Sequence, residues 1–196
     1  MTPSPSPRIR PARPSDLRRL AHVEDSGAEP FLALWGEDCP PALVGASPSG
    51  FDRDAAPGTL LVADAGSPPR GRSIVGFAHV LHLEGDDGYP RAHLEQLSVL
   101  LPAWGRQGIG SALVRAALTE SRRDGFDELT LSTYAEVPWN GPFYARLGFA
   151  EVPEERLPAW LRRITEHERS LHLEEVGHRP DGAGRRVVMA RPTVGS

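Results

Sequence analysis

The stretch His93–Ser111, HLEQLSVLLPAWGRQGIGS, constrains this chain more than any other. Leu94, Leu97 and Val99 read as a short strand that breaks at Pro102. The chain then turns through Gly105-Arg106-Gln107-Gly108-Ile109-Gly110 into a helical pattern carried by Ile109, Ala112, Leu113, Ala116 and Ala117. A strand, a glycine turn and a helix in direct succession make an anion-binding arrangement. Glycines let backbone N–H groups approach a phosphate, and the first helical turn adds unpaired donors and the positive end of its dipole. Composition narrows the ligand. All 22 basic residues are arginine, so a nucleotide P-loop, which needs a lysine, is excluded together with Schiff-base chemistry. A dinucleotide fold wants a third spaced glycine, and Leu113 stands there.

With 196 residues, 39% hydrophobic and 24% charged, the chain reads as one globular domain over 8–192 behind a disordered Pro/Ser-rich tail, 1–7. No apolar run approaches the roughly 20 residues of a membrane span, and the N-terminus lacks the basic-then-apolar pattern of a signal peptide, so a cytoplasmic location without membrane contact is expected. The net charge of −4 speaks against nucleic acid as a partner and mildly favours a cationic one. Cys39 is the only cysteine. It can form no internal disulfide or cysteine-based zinc site, and no motif makes it a nucleophile. His79 and His82 point to opposite faces of a strand, and His167 and His172 are one residue too far apart for the zincin pair, so no metal is expected.

The glycine turn resembles the R/Q-x-x-G-x-G/A signature of the GNAT superfamily (GCN5-related N-acetyltransferases), which holds the pyrophosphate of acetyl-CoA. Gly105 stands where Gln or Arg is usual, with Arg106 one place later. A second stretch, Val137–Phe149 (VPWNGPFYARLGF), is similar to the family's segment in which an asparagine precedes a tyrosine and then Gly-Phe. The resemblance covers roughly residues 8–152 and a last strand. It implies an α/β fold: a mixed central sheet of about six to seven strands flanked by helices, with parallel, splayed central strands.

Along the chain, Arg8–Ala12 reads as a strand, and Ser15 or Asp16 as the cap of a helix bearing Leu17, Leu20 and Val23. Glu29–Trp35 reads as a second helix and 45–58 as mobile loop throughout. A hairpin over 59–63 and 74–81 leads to the central strand, 92–100, then the helix 108–123 and a strand over 128–133. Asn140 is placed as an N-cap and Gly148 as a C-terminal stop. A helical insertion at about 154–172 precedes the closing strand, 186–190, and in the family that connection borders the acceptor site.

The resemblance also implies roles. The pyrophosphate falls to Gly105, Arg106, Gln107, Gly108, Ile109, Gly110 and Ser111, and the pantetheine arm to the strand at Leu97, Ser98 and Val99. The N–H of Val99, freed by a bulge, serves the oxyanion. Asn140 contacts the arm, and Tyr144, near the sulfur, protonates the thiolate. Glu95 and His93 are two apart on one strand face, where several family members place a base. Glu95 ranks first, His93 second and solvent third. The expected activity is acetyl-CoA-dependent transfer to a primary amine of a small molecule in a ternary complex. Protein or peptide acetylation and a catalytically inactive CoA-sensing module are the alternatives, and the oligomeric state, homodimer included, stays open.

Overall fold

A computed structural model describes residues 6–66, 73–174 and 184–194. Its sheet has seven strands in the order β1-β2-β3-β4-β5-β7-β6. Strands β1 (Arg8–Pro11), β2 (Gly58–Asp64), β3 (Ile74–Glu84) and β4 (Pro90–Val99) are antiparallel neighbours. Strand β5 (Glu128–Tyr134) runs parallel to β4, and β7 (Arg186–Pro192) lies antiparallel between β5 and β6 (Ala150–Glu151). This is the mixed sheet with a parallel central pair that the sequence implies.

Each face is closed by helices whose apolar spacing matches it. Helix α5 (Ile109–Arg123) buries Leu113, Val114 and Ala117 completely against Leu61, Val80, Leu94, Leu129 and Leu131. At roughly 1.5–3 kcal/mol per buried aliphatic side chain, this layer is the main cohesion of the sheet. On the other face, α1 (Leu20–Asp25) and the 3-10 turn Leu17–Arg19 set Leu17, Leu20 and Val23 against Val62 and Phe77. Asp16 does not cap this segment. Its carboxylate takes Arg10 and the N–H of Arg13 instead, because a half-buried arginine beside it is the stronger partner.

Two features of the sheet shape the site. In β4 the pairing passes from Gln96↔His79 to Leu94↔Val80, so Glu95 is an extra, bulged residue. Side chains switch faces there: Leu94 lies in the α5 core, but so do Leu97 and Val99, three and five residues on. The bulge thus falls at Glu95 and not at Val99, which keeps its register with Gly76. Second, β4 pairs with β5 only from Ala92 to Leu94. Beyond that the strands splay.

Residues 45–58 are not loop throughout. After α2 (Ala28–Trp35) and α3 (Pro41–Val44) comes α4 (Gly50–Ala55), closed by a reciprocal capping box between Ser49 and Asp52. A Cβ on Gly50 would sit 2.2 Å from the carbonyl oxygen of Leu17, so only glycine lets α4 lie this close to the turn before α1. Helix α6 (Gly141–Arg146) follows Asn140, whose side chain makes no capping hydrogen bond, and stops at Gly148 with φ +83°. The expected insertion contains α7 (Ala159–Ser170), which packs Trp160 and Leu161 on Val188 and Leu83. The tail expected over 1–7 lies outside the described residues as far as position 5, and the hairpin turn lies outside them over 67–72. No helix among the described residues is long and apolar enough to cross a membrane.

Candidate active site

The turn into α5 is an anion cradle. Gly108 is left-handed at φ +79°, and the first hydrogen bond of the helix runs from the N–H of Ala112 to Gly108. The N–H groups of Arg106, Gln107, Gly108, Ile109, Gly110 and Ser111 have no acceptor among the described residues. Six adjacent donors at the positive end of a 15-residue helix fit a pyrophosphate by charge and by hydrogen-bond count. Of the side chains expected there, Gln107 turns away and donates to the carbonyl of Ala103 at 2.9 Å.

From the cradle a cleft of about 1500 Å³ runs between β4 and β5. The N–H of Leu100 bonds β3, so alternation turns the N–H groups of Leu97 and Val99 away from β3, toward the unpaired edge. An extended ligand can pair with that edge as a strand would. The cleft brings together His93, Glu95, Leu97, Ser98, Val99, Asn140 and Tyr144 with the cradle residues apart from Gln107.

Glu95 enters the cleft from the bulge, its side chain 37% exposed. Its Oε2 accepts from Arg53 Nη1, and His79 Nδ1 lies 3.1 Å from the same oxygen, while Oε1 has no protein partner among the described residues. Burial pushes the Glu95 carboxyl up, but the His79 contact and the Arg53 charge outweigh it and hold it below the usual carboxylate range. Arg53 also clamps Glu24 with Nη2, at 2.9 and 2.7 Å to its two oxygens. Burial is the larger influence on Glu24 and raises its carboxyl despite that guanidinium.

His93 lies on the same face but only 4% exposed. Its Nδ1 is 2.9 Å from the Thr130 hydroxyl, and that hydroxyl donates to the carbonyl of Ala92, so Nδ1 carries the ring proton. Burial lowers His93 to about 4, with Arg186 adding to it and Glu95 opposing it. A histidine depressed in the folded state is neutral there while the unfolded chain binds a proton, so stability present above pH 6.5 is lost as pH falls toward 4. Between pH 7.5 and 5 this should cost about 2 kcal/mol. Urea melts of His93→Gln are expected to lose about that much less than the unsubstituted chain over the same interval; equal losses would refute the buried neutral ring.

Tyr144 stands on α6, packed edge-on to Phe143 and Phe149 at 5.0 and 5.8 Å between ring centroids. Its hydroxyl has no protein partner among the described residues, and burial raises the phenol, against a smaller pull from Arg186. Tyr134 differs: its hydroxyl donates to the carbonyl of Leu173 at 2.7 Å and ties the chain after α7 to the sheet. Arg186 lies over the Tyr134 ring and pairs with Glu168 of α7. Phe31 and Trp139 meet edge-on at 5.6 Å and form an aromatic wall.

Arg53, Glu24, Thr130 and the part of Trp139 in this wall were not anticipated from the sequence. Among the described residues no group of three potential ligands could hold a metal.

Residues 20–149 match the acetyltransferase (GNAT) family. Among solved structures the chain is similar to the PaiA N-acetyltransferase of Thermoplasma acidophilum in complex with coenzyme A, at 16% identity and TM-score 0.61 over 94% of this chain and 98% of that one. It is also similar to the ribosomal-protein-S18-alanine N-acetyltransferase of Escherichia coli, at 19% and 0.54 over 96% and 95%. A GCN5-related N-acetyltransferase structure from Rhodopseudomonas palustris stands at 21% and 0.56 over 78% and 87%. At these identities the structures speak for the fold, and the family match, which spans more than half of the sequence, speaks for the rest. The chain belongs to the acetyltransferase (GNAT) family, whose acetyl donor is acetyl-CoA.

Proposed function

We propose that this N-acetyltransferase moves an acetyl group onto a primary amine of a small molecule by direct attack in a ternary complex. The observation carrying this reading is one cleft that joins a six-donor anion cradle to two proton-handling groups, Glu95 Oε1 and the Tyr144 hydroxyl, that have no protein partner among the described residues. The N–H groups of 106–111 would hold the pyrophosphate, and the free edge at Leu97 and Val99, with Asn140, the pantetheine arm. Bound acetyl-CoA supplies an activated carbonyl and a thiolate leaving group. Gly108→Asp adds strain at φ +79° and a negative charge among the donors, so calorimetry should show acetyl-CoA affinity down at least tenfold, about 1.4 kcal/mol. Unchanged affinity in a folded variant would remove the cradle from the cofactor site.

A free primary amine is mostly protonated at neutral pH, its pKa in water being about 10.4. The fraction that has lost its proton to solvent attacks, and as its nitrogen bonds to the carbonyl carbon the remaining N–H becomes far more acidic, so an ionised carboxylate suffices as acceptor, directly or through one water. Glu95 is ionised and its side chain is 37% exposed to the cleft, whereas His93 is buried, at 4% exposed. The N–H of Val99 faces the edge where carbonyl charge develops. Tyr144 returns a proton to sulfur as the C–S bond breaks. Cys39 does not line the cleft, and burial pushes its thiol up, which disfavours a covalent acetyl-enzyme.

The acceptor end of the cleft carries Glu24, Asp25 and Glu95 beside Phe31 and Trp139, a lining suited to a compact cationic amine. A thiol-release assay with acetyl-CoA against amino acids, polyamines, aminoglycosides and peptides tests the reading. Turnover of small amines is expected to exceed that of peptides. Peptide-only turnover would replace the small-molecule acceptor by a protein one, and acetyl-CoA binding without turnover would favour a sensing module.

A further inference from the structure

Arg53 is the most deeply buried cation beside the cleft among the described residues, with 4% of its side chain exposed, and it sits on a six-residue helix. Its guanidinium lies 5.5 Å from the Phe77 ring centroid, reaches Glu24 on α1 with one nitrogen and Glu95 on β4 with the other, and leaves Nε buried without a partner. Such a group is a poor stabiliser. Desolvation offsets much of a buried ion pair, an unmatched N–H costs about 1–3 kcal/mol, and an apolar side chain of similar volume often serves folding as well. What an apolar side chain could not do is hold a carboxylate. Glu24 spends both oxygens on Arg53, whereas Glu95 spends only Oε2. One end of the contact is closed and the other leaves an oxygen available at the cleft.

We infer that Arg53 is a positioning residue for proton acceptance: it pins Glu95 through Oε2 and leaves Oε1 for the acceptor amine or its water. This rests on the reading of Glu95 as the base. Helix α4 then exists to deliver the arginine, since its capping box and the contact of Gly50 with Leu17 fix the helix against the α1 segment. The charged and titratable groups facing Glu95 are Arg53 from α4, His79 from β3, Glu24 from α1 across the shared guanidinium, and His93 from β4. Removing Arg53 leaves the burial of Glu95 and its His79 contact in place but takes away the cation between two carboxylates. Burial and the nearby Glu24 carboxylate then favour the protonated form of Glu95, and only the His79 contact still opposes them.

The test uses Arg53→Met, which keeps an unbranched stem without charge, with Arg53→Lys as a milder variant and Glu95→Gln as reference. In protein labelled with 13C at glutamate side-chain carboxyls, the signal missing from Glu95→Gln identifies Glu95, and no acceptor is needed. Its titration is expected below the ordinary glutamate range in the unsubstituted chain and to move upward in Arg53→Met. With an amine the enzyme acetylates, the acid limb of kcat in Arg53→Met should begin at a higher pH than in the unsubstituted chain, falling about tenfold per pH unit along it, with KM for acetyl-CoA unchanged. In a Glu95→Gln background, adding either Arg53 substitution should change kcat by less than about twofold. If Arg53→Met does not fold, the loss caused by Arg53→Lys and its disappearance in that background carry the same comparison. An unmoved Glu95 titration, or losses that multiply in the double variant, would overturn the role of Arg53. A titration that moves while kcat ignores it, with Glu95→Gln fully active, would instead overturn Glu95 as the base and the inference built on it.

Discussion

Replacing Glu95 by glutamine is expected to lower kcat by about 10²-fold or more, the range of a lost general base, with acetyl-CoA affinity nearly intact. Glutamine matches glutamate in shape and can still accept from Arg53, and Arg53 retains Glu24, so the fold has little reason to change. The pH dependence separates this reading from a change in field alone. Because the Glu95 carboxyl lies below its ordinary range, it is ionised from pH 5 upward, and its own titration contributes no limb in the neutral window. The remaining slope belongs to the acceptor amine, so the glutamine variant should run parallel to the unsubstituted enzyme, displaced downward. If Glu95 merely attracted a cationic acceptor, the loss would appear in KM for the amine while kcat held. A variant with full kcat on a slow, chemistry-limited acceptor would move the proton to His93, and then to solvent.

The parts of this site that repeat a local rule were legible in the sequence. Helix α5 is marked by Ile109, Leu113 and Ala117 at helical spacing, and the glycines before it announce the cradle, because strand, turn and helix are all set within 19 contiguous residues, His93–Ser111. The bulge was expected from the resemblance at Val99, but its true position could have been read and was not. Leu94, Leu97 and Val99 are spaced three and then two apart, which no regular strand can place on one face, so an extra residue had to lie between Leu94 and Leu97. Helix α4 was masked by the glycine, proline and serine of GASPSGFDRDAAPG. Its one local signal was Ser49 followed three residues later by Asp52, a weaker form of the usual capping pair.

Arg53 was out of reach for a different reason. An arginine in a polar stretch is ordinarily solvated, and its burial here depends on Glu24 and Glu95, which lie 29 and 42 residues away along the chain. Asn140 and Asp16 failed as caps in the same way. Local propensity favours the cap, but Asp16 met a stronger partner in Arg10, and Asn140 lines the cleft without reaching the N–H groups of α6. Partners 29 and 42 residues away decide Arg53 and one six residues away decides Asp16, and no periodicity records either.

Tyr144→Phe is expected to cost about 10²-fold in kcat when thiolate departure limits the rate, because it removes a cleft hydroxyl that has no protein partner among the described residues and leaves the ring in place. Stability should barely move. The packing on Phe143 and Phe149 is made by the ring face and edge, and no hydrogen bond to a described residue is lost. Energetically the role is modest. The ordinary values of about 10 for a phenol and 8.5 for a thiol differ by about 2 kcal/mol, and burial raises the phenol, so full transfer is uphill and a strong hydrogen bond to the departing sulfur gives most of the benefit. Because burial lifts the Tyr144 phenol above its ordinary value, the donor stays protonated through neutral and mildly alkaline pH, and no alkaline limb from it should appear below about pH 10. Tyr134→Phe is the contrast. That hydroxyl already donates to Leu173, so its loss should loosen the segment after α7 and lower the melting temperature, without abolishing chemistry. Should Tyr144→Phe keep full turnover with a slow acceptor while Tyr134→Phe loses it, the acid would have been misplaced, and proton delivery would have to come from the α7 side of the cleft.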